Sequence, residues 1–307
     1  MAIATLTLNP ALDVTTCTEK VRPQHKLRCS APRFDPGGGG INVARVVTHL
    51  GGMATAVFPN GGPAGATIVK LLEEQKIPIL PVPIAGAVRE SFTVDEGRPG
   101  DQYRFVLPGP ELSEDEQAAL LDALFGVADV NHIVVSGSLP PGCDPAILKR
   151  IAERCRAAGV NLVIDTSGPA LAACEGAEAW LIKPSLREVA DLLGREIASE
   201  ADEAAAAKEL CDRGFAEWVV VSLAERGALL VGKDKELRVA AVPVEAKGTV
   251  GAGDSMVAAI TLAASRGKGI EDSLRYGIAA GAATLMTPAT ELARKEDVER
   301  LYAGMAS

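Results

Sequence analysis

Residues 248–255 read Gly-Thr-Val-Gly-Ala-Gly-Asp-Ser and continue into the largely apolar stretch 256–262. This order predicts a glycine-rich loop that opens a helix. The first N–H groups of a helix have no partner within it and lie at the positive end of the helix dipole, so such a loop is suited to an anion. Asp254 then has two interpretations, either a helix cap or a base held beside a bound phosphate.

A second loop of this kind contains four consecutive glycines, Gly37–Gly40, before a helical pattern. A glycine run is also compatible with a flexible hinge. Because four glycines are costly in backbone entropy, close approach of a ligand to the backbone is the favoured explanation. The spacing does not match the G-x-G-x-x-G pattern of dinucleotide sites, and neither a Walker A pattern nor a G-x-S-x-G elbow is present.

The rest of the chain mostly alternates between strand-like and helix-like patterns, which predicts a mostly parallel, doubly wound α/β sheet. Strand-like runs end near positions 9, 60, 83, 136, 165, 183 and 222. The carboxyl ends of parallel strands share one edge of a sheet, so the loops that follow them are expected to meet at one crevice. These loops contain Asp13, Gly37 to Gly40, Gly137-Ser138, Lys183 to Glu188, Ser222 to Gly227 and Gly248 to Asp254.

Two segments break this alternation. Residues 91–94 and 102–106 flank a turn-rich stretch and predict a β-hairpin. Residues 14–34 are polar and irregular, and alternation around Lys26 and Arg28 predicts a half-exposed strand. We therefore expect a single domain over residues 1–307 with a small β lid formed by inserts at about 14–35 and 87–108.

Composition narrows the class of partner. A formal net charge of −9 argues against nucleic acid or an anionic membrane as the main partner. Six scattered cysteines without a C-x-x-C pair predict free thiols in a reducing compartment, and the three histidines form no obvious metal or triad pattern. The first residues look like a strand and not a signal peptide, and no apolar run approaches the ~20 residues of a membrane span. A cytoplasmic protein is expected.

The stretches Gly37 to Asn42 and Gly248 to Ser255 together resemble the two motifs of PfkB-type, or ribokinase-like, sugar kinases. Residues 9–13 and 136–142 are similar to the phosphosugar branch of that family. Within the branch, residues 26–29, 102–109 and 249–257 look most like the minor enteric-type 6-phosphofructokinases. The resemblance covers essentially the whole chain. It implies an α/β/α sandwich of eight or nine strands with a β lid, and a homodimer joined through the lids.

The resemblance also implies an activity, transfer of the ATP γ-phosphate to the carbon-1 hydroxyl of fructose 6-phosphate. Asp254 would be the general base, and backbone N–H groups of Gly251, Ala252 and Gly253 would stabilise charge on the transferring phosphate. The sugar phosphate would be held by Asp13, Lys26, Arg28, Gly38, Gly39, Asn42, Arg89 and Ser138. The nucleotide would be held by Lys183, Ser185, Ser222, Gly227 and Thr249. For Lys26 and Arg28 the alternative is exposed lid charges, and Lys183 also has a purely structural alternative.

Two departures from the family pattern concern cations. The family motif N-x-x-E appears as Ser185-Leu186-Arg187-Glu188, so Glu188 is the residue expected to hold Mg²⁺ through water, beside a serine shorter than the usual asparagine. Ala289-Thr290-Glu291 stands where Gly-Thr-Arg is expected, next to a monovalent-cation site in some members. Dependence on K⁺ is therefore left open.

Three alternatives to this activity remain at the level of sequence. Tagatose-6-phosphate kinase and 1-phosphofructokinase differ from the favoured activity only in one hydroxyl epimer or in the phosphate position. A non-catalytic sugar-phosphate or nucleotide sensor on the same fold is the alternative outside the enzyme class. Retention of Asp254 argues against the sensor, because a protein without catalysis would be free to lose its base.

Overall fold

The computed structural model describes residues 2–97, 101–248, 250–288 and 290–305. Its strands, in chain order, are β1 Ala2–Leu6, β2 Ala11–Thr18, β3 Arg33–Gly37, β4 Ala54–Asn60, β5 Ile79–Pro83, β6 Arg89–Glu96, β7 Gln102–Val106, β8 Val130–Ser136, β9 Asn161–Asp165, β10 Ala179–Ile182, β11 Ala216–Ser222, β12 Ala228–Val231 and β13 Glu236–Val239. Its α-helices are α1 Gly39–His49, α2 Gly62–Glu74, α3 Glu114–Phe125, α4 Ile147–Ala158, α5 Gly168–Ala172, α6 Leu186–Leu193, α7 Glu200–Asp212, α8 Ala252–Ser265, α9 Ile270–Leu285 and α10 Lys295–Met305.

A nine-stranded sheet forms the body, in the order β13-β12-β11-β10-β9-β8-β1-β4-β5. All neighbours from β11 to β5 pair in parallel, and β12 and β13 add antiparallel strands at one edge. Successive residues of a strand point to opposite faces, so Val220 packs into one buried core and Val219 and Val221 into the other. Helices α1, α2 and α8–α10 cover the first face, and α3–α7 cover the second. The predicted three-layer α/β/α sandwich is confirmed.

A separate four-stranded sheet, in the order β3-β2-β6-β7, confirms the predicted small sheet and its hairpin. The tip of that hairpin, Arg98 to Gly100, lies outside the described residues. The register places Phe34, Val14, Phe92 and Phe105 in one row across the four strands. The adjacent row on the other face contains Asp35, Asp13 and Ser91. At this level one face of the sheet carries three phenylalanines. The other face is polar in β3, β2 and β6, and Val106 takes the corresponding position in β7.

Two expectations about this region are corrected. Lys26 and Arg28 lie in an exposed segment between β2 and β3 that has no strand. Only scattered bonds, such as Ser30 N–H to the Cys17 carbonyl at 2.9 Å, tie the segment to β2, so its alternating polarity finds no continuous ladder. Asp13 was expected in a loop past the first strand, whereas it is the third residue of β2.

Across the described residues, no helix is both long enough and apolar enough to cross a membrane.

Candidate active site

Helix α8 begins as the sequence predicts, at a glycine loop on the carboxyl edge of the large sheet. Gly251 is its N-cap, in the left-handed conformation with φ 80°, and no side chain caps this end. Asp254 is the third residue of the helix, so the interpretation of Asp254 as the N-cap residue is wrong. The N–H groups of the first turn have no acceptor within the helix and are available to a ligand.

The Asp254 carboxylate is held by neutral donors from two other elements. Asn42 of α1 donates from Nδ2 to Oδ2 at 3.0 Å, and the Ser136 hydroxyl at the end of β8 donates to Oδ1 at 3.4 Å. Burial and the nearby charge of Asp165 raise the pKa of Asp254 to about 6, although Asn42, Lys183 and Ser136 oppose that shift. Such a carboxylate is ionised at neutral pH and is a stronger base than an exposed aspartate.

A buried cation lies beside this helix start. Lys183 follows β10, is 7 % exposed, and its Nζ lies 3.1 Å from Oδ1 of Asp165 at the end of β9. Burial disfavours the ammonium form, but Asp165, Glu188 and Asp254 outweigh it and raise the pKa of Lys183. A Cβ placed on Gly253 would lie 3.5 Å from Nζ. A permanent positive charge therefore adjoins the free N–H groups of α8.

The first glycine run lets α1 begin directly against the end of β8. A Cβ on Gly39 would lie 2.1 Å from the Ser136 hydroxyl oxygen and 2.9 Å from the Gly137 nitrogen. Gly38 has φ 117°, a conformation that side chains disfavour. Packing alone thus requires glycine at these positions. The sequence could not distinguish this reason from close approach of a ligand to the backbone. The close contact brings Asn42 and Ser136 to the same carboxylate.

Ser185 and Glu188 form a capping box at the start of α6. Glu188 Oε2 accepts from Ser185 N–H at 2.6 Å and from its hydroxyl at 2.8 Å, while Ser185 Oγ accepts from Glu188 N–H at 3.3 Å. The spacing S-x-x-E is the sequence signature of this box, which the functional interpretation overlooked. Among the described residues no hydrogen bond ends on Oε1 of Glu188, so that oxygen is available to water.

Ser222, another residue predicted for the nucleotide, lies next to this box. Ser222 ends β11, and its N–H donates to the Pro184 carbonyl at 3.0 Å, which places it in a bridge with Ser185. Gly227 has φ 93°, and a Cβ there would lie 2.1 Å from the Val239 carbonyl oxygen, so the return of the chain into β12 requires glycine. Thr249 lies outside the described residues.

Asn9 connects two of the residues predicted for the sugar phosphate. Its backbone carbonyl accepts from Nη2 of Arg89 at 3.2 Å, and its side-chain Nδ2 donates to the Ser138 hydroxyl at 3.1 Å. Asp13 lies against the first glycine run, because a Cβ on Gly37 would be 2.1 Å from its Oδ2. Burial raises the pKa of Asp13 to about 6, with Asp35 adding to the shift and the cations of Arg104, Arg89 and Arg45 opposing it.

Lys26 and Arg28 are not brought to this group. Both residues are exposed, and within the described residues neither side chain makes a hydrogen bond or ion pair, although the Arg28 backbone carbonyl accepts from the Thr18 hydroxyl at 3.3 Å. Conversely, sequence reasoning missed Asn9, Arg45, Arg104, Ser136 and Asp165 as parts of the site. Ser136 and Asp165 carried a usable signal, since each is the last residue of a predicted strand at the ligand edge. The positions of the other three depend on register and on helix packing.

Comparisons with known proteins give a consistent result. Residues 7–296 match the model of the pfkB family carbohydrate kinases. The chain is 50 % identical to the ATP-dependent 6-phosphofructokinase isozyme 2 of Mycobacterium tuberculosis over 98 % of this chain and 88 % of that protein, and 41 % identical to the Escherichia coli isozyme over 98 % of both. A crystal structure of phosphofructokinase-2 from Escherichia coli in complex with substrates and products has a TM-score of 0.94 at 40 % identity, covering 100 % of both chains.

Replacement of Asp254 by Asn is expected to stabilise the free protein at pH 8 by roughly 2–5 °C in Tm and to have little effect near pH 4. The fold raises the pKa of this carboxyl to about 6, so ionisation costs stability as the pH rises from the unfolded-state value near 4 through 6. Thermal unfolding at both pH values measures the difference. Asp191→Asn, an exposed acid on α6, is the control. An Asp254→Asn protein less stable than the wild type at pH 8 would contradict a raised pKa for this carboxyl.

Proposed function

The chain belongs to the pfkB family of carbohydrate kinases, and we propose that it is an ATP-dependent 6-phosphofructokinase, which phosphorylates the carbon-1 hydroxyl of fructose 6-phosphate. Relatives of that activity at 41 % and 50 % identity support the choice of substrate. One observation carries the chemistry. An ionisable carboxylate with a pKa of about 6, Asp254, lies in the first turn of α8 next to free N–H groups and the Lys183 ammonium.

In this proposal Asp254 accepts the proton of the sugar hydroxyl as that oxygen attacks the γ-phosphate. General base catalysis of this kind contributes typically 10²–10⁴-fold. The backbone N–H groups of Gly251, Ala252 and Gly253 lie at the positive end of α8 and stabilise the negative charge of the transferring phosphoryl group. Lys183 adds a full positive charge that water does not screen, because its side chain is buried.

The sugar phosphate is assigned to residues of β2, β6, the first glycine run and α1. Asp13 suits the sugar hydroxyls as an acceptor, and Arg89 suits the phosphate as a cation. The link through Asn9 holds Arg89 and Ser138 together, which supports placing both at one ligand. Gly38, Gly39 and Asn42 complete this group. Lys26 and Arg28 stay predictions, since the exposed segment that carries them makes no described contact with the group.

For the nucleotide we propose Lys183, Ser185, Ser222, Gly227 and Thr249. Glu188 fits a water-mediated Mg²⁺ site, because its Oε1 is left open by the capping box and faces no described hydrogen-bond donor. Magnesium, when bound, neutralises charge on the phosphates. For K⁺ the support is a crystal structure of the Escherichia coli protein in complex with potassium. In the loop expected next to a monovalent-cation site, the Thr290 hydroxyl donates to Oδ2 of Asp35 at 2.6 Å. Ala289 of the same loop lies outside the described residues.

We further propose that residues 1–307 form one kinase domain that dimerises through the small sheet. Its aromatic row is exposed, with Phe34 at 46 %, Phe92 at 36 % and Phe105 at 54 %. Three exposed phenylalanines in one row on an open sheet favour burial against a partner. A second copy supplies the same row. The Escherichia coli protein has a tetrameric inhibited form, so a larger assembly is the alternative to the dimer. The cytoplasmic location also stays a prediction.

The substrate assignment is tested by turnover of fructose 6-phosphate, tagatose 6-phosphate and fructose 1-phosphate with MgATP. The highest kcat/KM is expected for fructose 6-phosphate, and chelation of Mg²⁺ with EDTA is expected to abolish turnover. Faster turnover of either other sugar would reassign the substrate within the family. Inactivity on all three would overturn the kinase assignment and favour a sensor.

Asp254→Asn is expected to lower kcat by about 10²–10⁴-fold, because the amide cannot accept the hydroxyl proton. Binding of fructose 6-phosphate, measured by calorimetry, should change little, since Asp13 and Arg89 are untouched. Asp191→Asn again serves as the matched control and should retain wild-type kcat. Near-normal turnover of Asp254→Asn would show that this carboxylate is not the base.

Phe105→Glu is expected to weaken self-association roughly a hundredfold or more, because the new carboxylate would be buried without a cation. Light scattering coupled to gel filtration measures the change from two chains to one. Met53→Glu, at an exposed methionine before β4, introduces the same charge away from the small sheet and should leave the assembly unchanged. A Phe105→Glu protein that remains dimeric would move the interface elsewhere.

A further inference from the structure

Asn42 lies between the proposed base and a buried arginine, and its amide group uses both ends. Nδ2 donates to Oδ2 of Asp254 at 3.0 Å, while Oδ1 accepts from Nη1 of Arg45 at 3.2 Å. A carboxylate only accepts and a guanidinium only donates, so a single orientation of the amide satisfies both neighbours. The arginine thus distinguishes the two ends of a side chain that is otherwise nearly symmetric in shape.

Arg45 is itself held in place. It lies on α1 three residues after Asn42 and is 5 % exposed. The same Nη1 donates to the Pro36 carbonyl in β3 at 3.2 Å, and Nε donates to Oε1 of Gln75 after α2 at 2.9 Å. Burial lowers the pKa of Arg45 while Asp35 and Asp13 raise it, and a guanidinium remains charged throughout the working pH range. The N–H donors of its guanidinium are therefore always present, and these two bonds hold them in a fixed position.

We infer that Arg45 is a positioning residue for the proposed reaction: it fixes the Asn42 amide so that Nδ2, and not Oδ1, faces Asp254. The inference rests on the proposed function, because Asp254 is the base only there. Among the described residues, no hydrogen bond or ion pair joins Arg45 to Asp254. It acts through Asn42, and it connects the catalytic carboxylate to β3 of the small sheet.

The physical consequence concerns the charge state of Asp254. Donation from Asn42 favours the ionised carboxylate, whereas a reversed amide would place its Oδ1 against Oδ2 and favour the protonated form. The charged groups facing Asp254 from other elements are Asp165 of β9 and Lys183 after β10, and Ser136 donates from β8. None of these three bonds to Arg45, so loss of the arginine leaves them in place.

Arg45→Met is the test, since methionine keeps an apolar stem of similar length without a donor. The ¹³C NMR titration of the Asp254 carboxyl, assigned with Asp254→Asn, is expected to move up by about one pH unit. The acid limb of kcat/KM should move in the same direction. We also expect kcat near pH 6.5 to fall roughly threefold, because the ionised fraction of the carboxyl falls from about three quarters to about one quarter, with an unchanged KM for ATP.

Gln75→Leu is the matched control. It removes an acceptor of the same guanidinium and is expected to lower stability, but it leaves the bond from Arg45 to Asn42 intact. The Asp254 titration should therefore stay at its wild-type position. Arg45→Lys keeps a charged donor of lower reach, and we expect it to give a smaller shift than Arg45→Met. It also serves if the methionine variant does not fold.

A double-mutant cycle separates positioning from simple loss of charge. In the Asn42→Ala background, Arg45→Met should add no further shift to the Asp254 titration, because the mediator is gone. An equal shift in both backgrounds would overturn the inference in favour of long-range electrostatics, and an unchanged titration in Arg45→Met and Arg45→Lys would overturn it in favour of a purely structural arginine. The NMR readout needs no turnover. A protein inactive on all three sugars would thus refute the proposed function independently of this result.

Discussion

The site depends on keeping one partly buried carboxylate ionised without giving it a cation of its own. Lys183 lies close enough to influence Asp254, yet its ammonium pairs with Asp165, and Asp254 receives only the neutral donors of Asn42 and Ser136. A direct ion pair would lower the pKa of Asp254 and weaken it as a base. Burial and the charge of Asp165 raise that pKa to about 6 against the opposing effects of Asn42, Lys183 and Ser136, so the group is both ionised and basic at neutral pH.

This arrangement follows from how the chain packs at the carboxyl edge of the sheet. The absence of a side chain at Gly39 lets α1 meet the end of β8, so donors from two distant segments reach the same carboxylate. Gly251 turns the chain into α8, which brings the carboxylate and the free N–H groups into one helical turn. The same two glycine stretches that open the helices therefore also set the distances between the groups that act together.

In the proposed function the small sheet has two roles, which the alternation of strand side chains assigns to its two faces. In β2, Asp13 lies in the polar row, and Val14 next to it lies in the aromatic row. A shift of register by one residue would exchange the two faces, so the proposed ligand side and the proposed partner side are specified together. Arg45 connects this sheet to the proposed base, since the arginine that donates to Asn42 also donates to the Pro36 carbonyl of β3.

Sequence by itself determined the layered α/β fold, the small second sheet and the two glycine loops, because each depends on local periodicity or on residues within one turn. The parallel-strand rule further predicted that the loops meet at one edge. The register of the strands could not be predicted from the sequence. Residues 26–28 alternate as a strand would but have no ladder, and Arg104 comes near Asp13 only through pairing across β6. Tertiary structure alone decided that Asp254 is not the cap, that Lys183 pairs with Asp165, and that Arg45 orients Asn42. Those interactions join residues far apart in the chain, whose distances are set by helix and strand packing and not by local sequence.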